Sequence, residues 1–283
     1  IWKISRLIRT HLCTVNFILN TVRIKKMTRP SFLSKKMSFK VPSSWSVLSQ
    51  MQLRYIIKLY SIYDGQENAM NHIKTAALFR FMGVDIDSEQ EDGILCKHPA
   101  TKKEFLLDPE FLPWMIREMD WLEHPELMTD RVETLHGFHS VDFKLRNVMF
   151  GKYLITENYF QGWLASSELA NVGQMFRTLY QVPEDRKKVP LTTFDYTAVI
   201  LWWSAVKTLF GQMFPHFLKP GEGGEGEQAT QAEVFNAQVR LLTKGDVTKE
   251  DEILNHTTTL RALTELDAQA REAEELDRMT KKK

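Results

Sequence analysis

The sequence predicts a mainly α-helical protein with a small β-hairpin, an α+β fold in which a helical body carries a helical C-terminal tail on a flexible linker. Apolar residues recur every three or four positions through most of the chain, which is the spacing of an amphipathic helix. Two short apolar runs on either side of His98–Pro99 differ from this pattern and predict the hairpin. The glycine-rich stretch 220–230 separates the tail from the body.

The chain begins with a basic leader, residues 1–36, which holds nine Lys or Arg and no Asp or Glu. Its apolar run at 15–19 is too short to span a bilayer, and no cleavage site of small residues follows it, so secretion is not expected. Two interpretations stay open. The leader is either a basic amphipathic helix at a membrane surface, or disordered or upstream sequence translated ahead of a start at Met37. We favour the second.

Without the leader, 28 basic residues stand against 36 acidic ones, so residues 37–283 carry a net charge of −8. An acidic body argues against general nucleic-acid binding, which needs a basic face to neutralise phosphates. The chain has two cysteines, Cys13 and Cys96, too few for a disulfide framework and typical of a reducing cytoplasm. We expect Cys96 to be a small buried apolar residue rather than a nucleophile.

The body, residues 37–219, is predicted to begin with a short strand at Pro42 that leads into helices. Ser49 is a good N-cap for a helix that ends at Asp64, and the next helix runs over 71–82. The segment 114–122 is rich in large apolar side chains, and helical spacing returns over 149–164 and 167–180.

Two β elements are predicted in the body. Residues 94–97 and 104–107 are the apolar runs of the hairpin, and 98–101 form the turn between them. Residues 141–145 alternate between apolar and polar side chains, which predicts another strand. The body is therefore expected to be rich in helix with minor β structure.

The most apolar segment of the chain is 198–218. Lys207 lies in its middle and Pro215 breaks it, so we do not expect it to span a membrane. It is either a buried helix of the core, which the pattern favours, or a partner-binding helix. In the second interpretation, Trp202 and Trp203 form the hot spot of a contact surface.

The tail, residues 231–283, is predicted to hold short amphipathic helices with little core of their own. Thr248, followed by Asp251, resembles a capping box for the middle helix. The apolar stripe of the tail must be covered by the body, by a second copy or by a partner, and we expect a partner. The predicted partner-binding residues are Trp202, Trp203, Phe235, Leu242, Leu254, Leu263 and Leu266.

Few residues point to catalysis. The chain has no glycine-rich phosphate loop, no nucleophile elbow and no His-Glu-x-x-His. Histidines at 124, 136 and 139, joined by Cys96 and His98, are the remaining candidates for a zinc site. They lack a second cysteine pair, so we expect no metal, no cofactor and no enzymatic activity. An enzyme or metal protein built on His136 and His139 stays the alternative.

Two segments carry a resemblance to a known family. The run 241–254 followed by 260–266, and the opening 39–45 (Phe-Lys-Val-Pro-Ser-Ser-Trp), resemble proteins encoded near the tail genes of tailed phages and prophages, the tail assembly chaperones among them. The resemblance implies a non-catalytic protein in the cytoplasm of a bacterial host that binds tape-measure or tail-tube subunits. Homo-oligomer formation is a further expectation. A membrane-peripheral binding protein that uses the basic leader is the other alternative.

Overall fold

The computed structural model describes residues 39–90, 93–99, 102–186, 188–219 and 230–281. The predictions for the leader 1–36 and for most of the linker 220–230 lie outside these residues. Within them the chain is mainly helical, with one three-stranded antiparallel sheet and one two-stranded sheet. The predicted mainly α class with a small β component is confirmed.

The regular elements follow one another along the chain in this order. The first part of the body holds α1 (Gln50–Tyr63), α2 (Ala69–Met82), β1 (Asp85–Gln90), β2 (Gly93–Lys97), β3 (Glu104–Leu107) and α3 (Leu112–Arg117). The second part holds β4 (Thr134–Leu135), β5 (Phe138–His139), α4 (Phe150–Ser166), α5 (Leu169–Leu179) and α6 (Thr193–Met213). The tail holds α7 (Gln231–Thr243) and α8 (Thr259–Lys281).

The sequence predicts Ser49 as the N-cap of α1, and the structure shows a full capping box there. Gln52 N donates to Ser49 Oγ over 3.3 Å, and Ser49 N donates to Gln52 Oε1 over 2.9 Å. Two of the four amide donors that a helix start leaves without an intrahelical partner are accounted for in this way. Leu53, Ile56 and Ile57 then form the buried face of the helix.

The predicted hairpin is present as β2 and β3, with Cys96 paired to Phe105. The sequence pattern missed β1, which pairs with β2 as a third strand. Its six residues are mostly polar and exposed, so they lack the apolar alternation that marks a half-buried strand. Gly93 is required at the β1–β2 connection, because a Cβ there would lie 2.4 Å from Leu107 O.

Two predicted strands are not strands. Residues 141–145 form a turn, because Asp142 Oδ1 accepts from Lys144 N over 3.1 Å and Leu145 adopts a left-handed backbone with φ of 57°. The segment around Pro42 is irregular, and a 3-10 turn, Trp45–Val47, follows it. The buried Trp45 fixes this turn by donating from Nε1 to His124 O over 2.9 Å.

The centre of the body is α6, which packs against α1 and α5. Trp202 and Trp203 are both fully buried. Trp202 Nε1 donates to Phe143 O over 3.3 Å, and the Trp203 ring lies 5.8 Å from the ring of Tyr153 on α4. The prediction that these two indoles form a partner-binding surface is therefore wrong, and the alternative of a buried core helix is correct.

The tail docks on the body. Val148 O accepts from Thr259 N and from Thr259 Oγ1, each over 2.8 Å, and Phe150 N donates to Thr257 O over 2.9 Å. The π-helix Glu252–His256, which precedes α8, lies so close to α4 that a Cβ on Gly151 would approach Leu254 O to 2.9 Å. Residues 230–281 are thus part of the packed structure and do not form a separate recognition tail.

Candidate functional site

The predicted partner-binding residues of the tail face the interior. Leu263 and Leu266 are buried in the same core as α6, and Phe235, Leu242 and Leu254 are half-buried against it. The body therefore covers the stripe that was predicted to meet a partner, which corrects these five assignments. Thr248 is not a helix cap either, because Asp246 accepts from Thr248 N over 3.1 Å and starts a 3-10 turn, Val247–Lys249.

The buried carboxylate of α4, Glu157, is held by hydrogen bonds from neighbouring side chains. Glu157 is buried, and Oε1 accepts from Lys207 Nζ over 2.6 Å and from Gln161 Nε2 over 2.7 Å. Its other oxygen accepts from Trp203 Nε1 over 3.0 Å. Because both carboxylate oxygens accept hydrogen bonds from α6, the group links α4 to α6.

The buried lysine of α2 is held in the same way. Lys74 Nζ bonds Asp120 Oδ1 over 2.5 Å and also bonds Glu123. Burial lowers the pKa of Lys74, but the two carboxylates outweigh burial and leave its pKa above the ordinary value. The ammonium stays charged, and it fixes α2 to the 3-10 turn Asp120–Glu123.

The histidine candidates are dispersed over separate contacts. His136 Nε2 bonds Asp195 Oδ2 over 2.9 Å, and His139 Nδ1 bonds Thr134 Oγ1 over 3.2 Å. His124 bonds Glu126, and burial raises the pKa of the Cys96 thiol on β2. Among the described residues, no group of three or more His, Cys, Asp or Glu side chains is placed to hold a metal ion.

The pair of His136 and Asp195 is the nearest approach to an acid–base device. However, Asp195 Oδ2 also accepts from Thr192 N over 2.7 Å and from Thr192 Oγ1 over 2.8 Å, which caps the start of α6. His136 itself has a left-handed backbone with φ of 50° and packs edge-on against the Phe176 ring. The pair therefore ties the β4–β5 turn to α6 and has a structural role.

The surface carries a groove that the sequence did not identify. We call it the α1 groove. It has a volume of about 710 Å³ and lies between the outer face of α1, the end of α2 and the start of α6. Its lining residues are Met51, Gln52, Arg54, Tyr55, Lys58, Ser61, Ile62, Arg80, Phe81, Thr192, Thr193 and Phe194.

Large apolar side chains on the outer face of α1 remain exposed in this groove. Met51 is 75% exposed and Ile62 is 44% exposed, and Phe81 and Phe194 are partly exposed beside them. Met51, Tyr55, Lys58 and Ile62 follow one another at intervals of four, three and four residues, which places them in one line along the helix. The only signal in the sequence was that Met51 and Ile62 do not belong to the buried stripe of α1.

The rim of the groove is basic. Arg54, Lys58 and Arg80 line it, and no acidic side chain does so among the described residues. The Arg80 guanidinium lies 5.6 Å from the centre of the Tyr55 ring, a cation–π contact. Burial raises the pKa of the Tyr55 hydroxyl while Arg80 acts in the opposite direction. The described structure pairs none of these three cations with a carboxylate.

A second exposed aromatic position lies on α3. Trp114 is 70% exposed, and the guanidinium of Arg117 lies 5.7 Å from its ring centre. Among the described residues, the exposed tryptophan thus lies on a six-residue helix after a proline-containing turn, and not on the Trp-rich α6. Sequence patterns alone did not separate these two environments.

Comparison with family models, with curated proteins and with solved structures gives no match for this chain. In the part of the chain that the structure describes, no helix combines the length and the apolar character needed to cross a bilayer.

Proposed function

We propose that this chain is a non-catalytic protein of a tailed phage or prophage that assists tail assembly in the cytoplasm of the bacterial host. In this proposal it binds a helical segment of a tape-measure or tail-tube subunit in the α1 groove. The single observation that carries the binding proposal is an open apolar groove whose charged side chains are all basic. The choice of a phage partner rests on the resemblance of 39–45, 241–254 and 260–266 to tail-region proteins.

The dimensions of the groove favour a helix as ligand. Met51 and Ile62 are eleven residues apart on α1, which corresponds to about 16 Å along the helix. That length accommodates about three turns of a second helix, whose apolar side chains at i, i+3 or i+4, and i+7 would contact Met51, Ile62 and Phe81. A tape-measure subunit is expected to offer long amphipathic helices of this kind.

The charge of the groove determines which charged residues a ligand helix should carry beside its apolar stripe. Three cations on the rim favour a helix with acidic residues beside its apolar stripe and disfavour a basic one. Because Lys58 and Arg80 are exposed to solvent, this preference should weaken as salt is added. Residues 37–283 carry 28 basic against 36 acidic side chains, so the groove is a basic patch on an acidic part of the chain.

The absence of catalysis in the proposal is supported by the roles of the titratable groups described above. Glu157, Lys74 and Asp195 are each used in contacts between structural elements. Their substitution is expected to change stability first.

A capture experiment with matched variants tests the proposal. Purified tape-measure and tail-tube subunits encoded beside this gene are titrated against the wild-type chain and against Met51→Asp with Ile62→Asp. The control variant, Val247→Asp with Leu127→Asp, places the same charges on residues that are 71% and 51% exposed and lie outside the groove. We expect the groove variant to lose at least about tenfold in affinity, because buried charge replaces apolar contact, and the control to bind as the wild type does.

Two results would contradict the proposal. Failure of the wild type to bind either subunit would remove the phage partner. Equal binding by the groove variant and the control variant would show that the partner uses another surface.

A further inference from the structure

The last two turns of α8 leave the body. The first half of the helix is buried through Thr259, Ala262, Leu263 and Leu266. Glu274 makes the last contact with the body, where it bonds Lys219 and accepts from His216 Nδ1 over 3.2 Å. Beyond it, Leu276 and Met279 are each 65% exposed.

These exposed residues belong to a stripe that we call the α8 end: Glu272, Glu275, Leu276 and Met279. Their spacing of three, one and three residues places them on one face of the helix. Residues 272–279 contain four acidic side chains and one basic side chain, Arg278. The α8 end is thus an acidic helix with two exposed apolar side chains.

The α8 end has the chemistry that the α1 groove requires. Leu276 and Met279 match the apolar floor formed by Met51, Ile62 and Phe81, and Glu272 and Glu275 match the cations of the rim. The basic leader is a poor alternative, because its nine Lys or Arg would face Arg54, Lys58 and Arg80 without an acidic residue between them. Charge therefore selects the α8 end among the segments of this chain.

The geometry excludes docking within one chain. The groove lies at the start of α6, at Thr192 to Phe194, whereas His216 and Lys219 hold Glu274 beyond the other end of α6. The 21 residues of α6 separate these points by about 31 Å. Only seven residues of α8 follow Glu274, and they extend about 10 Å. The α8 end can reach a groove only on another molecule.

We infer that the α8 end of one copy of this chain docks in the α1 groove of a second copy. The two surfaces differ, so the contact is heterologous, and a pair of copies keeps one free groove and one free α8 end. Such a contact grows into a ring or an open chain of subunits. Where this inference rests on the proposed function, it adds a way to regulate partner binding. Self-association and partner binding use the same α1 groove, so each excludes the other.

The test uses two variants, each of which lacks one surface. The groove variant is Met51→Asp with Ile62→Asp, and the end variant is Leu276→Asp with Met279→Asp. Mass is measured by sedimentation without any partner protein, so the outcome does not depend on the proposed function. We expect wild-type assemblies to grow with concentration, and each variant alone to sediment as a single chain of 33.0 kDa.

Mixing the two variants is the decisive step. One intact groove and one intact α8 end remain in the mixture, so we expect a species of twice the chain mass and no larger one. A charge exchange provides a second measurement that does not depend on buried side chains. Lys58→Glu alone and Glu275→Lys alone should each weaken assembly about tenfold, and a mixture of the two should regain part of the loss.

The inference is overturned by any of three results: a wild-type chain that stays monomeric at all concentrations, variants that self-associate as the wild type does, or a mixture that gains no dimer. Loss of assembly on removal of residues 1–36, with the end variant unaffected, would assign the groove to the leader instead.

Discussion

The two halves of α8 use similar side chains for opposite purposes. Leu263 and Leu266 in the first half are buried against the body, whereas Leu276 and Met279 in the second half are exposed. Both pairs are three residues apart, so the periodicity of the sequence is the same in each. The difference teaches that an apolar stripe on a helix predicts which residues pack against another surface. It does not identify that surface.

Shortening the buried leucines in the first half of α8 should have the largest effect on the free energy of unfolding. Leu263→Ala with Leu266→Ala removes two buried side chains, each worth about 2 to 5 kcal/mol, and we expect a combined loss of about 4 kcal/mol or more in the free energy of unfolding. Urea denaturation followed by circular dichroism measures it. Because the tail is part of the core, the whole chain should unfold in one transition. If the body of this variant melts as the wild type does, the tail unfolds independently of the body, as the sequence-based prediction of a flexibly linked tail requires.

The same contrast between buried and exposed positions can be sharpened with tryptophan. Trp202→Ala on α6 should cost about 3 to 5 kcal/mol of unfolding free energy, because a fully buried indole is removed from the core. Its matched control is Trp114→Ala on α3, where we expect a change within about 0.5 kcal/mol. Equal losses for the two substitutions would show that Trp114 is buried in solution.

Glu274 marks the boundary between the two halves of α8. Hydrogen bonds from Lys219 and His216 lower the pKa of the Glu274 carboxyl, so its contribution is present above the pKa of the unfolded chain and is lost as pH falls through the lowered folded value. We expect Glu274→Gln at neutral pH to speed amide hydrogen exchange a few-fold over 267–281. Exchange over 259–266 is the internal control. A uniform change along α8 would place the boundary elsewhere.

The smallest effect is expected in the second half. Leu276→Ala with Met279→Ala should change the unfolding free energy of the monomer by less than about 0.5 kcal/mol, because both side chains are already exposed to water. Denaturant melts at low protein concentration, below self-association, measure this directly. A loss comparable to that of the Leu263 and Leu266 pair would mean that the α8 end also packs on its own body.

Local signals in the sequence predicted much of the fold. The Ser49 N-cap, the hairpin of β2 and β3 and the helical character of the segment containing Trp202 all depend on residues close together in the chain. The errors arose where another local interaction prevailed. Asp142 turned the alternating run 141–145 into a loop, and Asp246 started the helical turn that had been assigned to Thr248.

The candidate site was much harder to predict. The α1 groove joins side chains from 51–62, 80–81 and 192–194, so it exists only after α1, α2 and α6 have packed together. The sequence indicated apolar stripes in the tail and indoles in α6, and the structure buries both in one core. The periodicity of apolar residues predicts that a face is buried, but the segment that buries it can lie far away in the same chain.

The hydrogen bonds from Thr259 to Val148 also set the timing of folding. They join residues 111 positions apart, so the site on the body that receives α8 is synthesised long before its cover. At translation rates of about 5 to 20 residues per second, the interval is roughly 5 to 20 seconds. During that time the apolar face of α4 that later packs against α8 is exposed to solvent on the nascent chain. The nascent body is therefore expected to be a client of cellular holding factors until α8 emerges and closes the core.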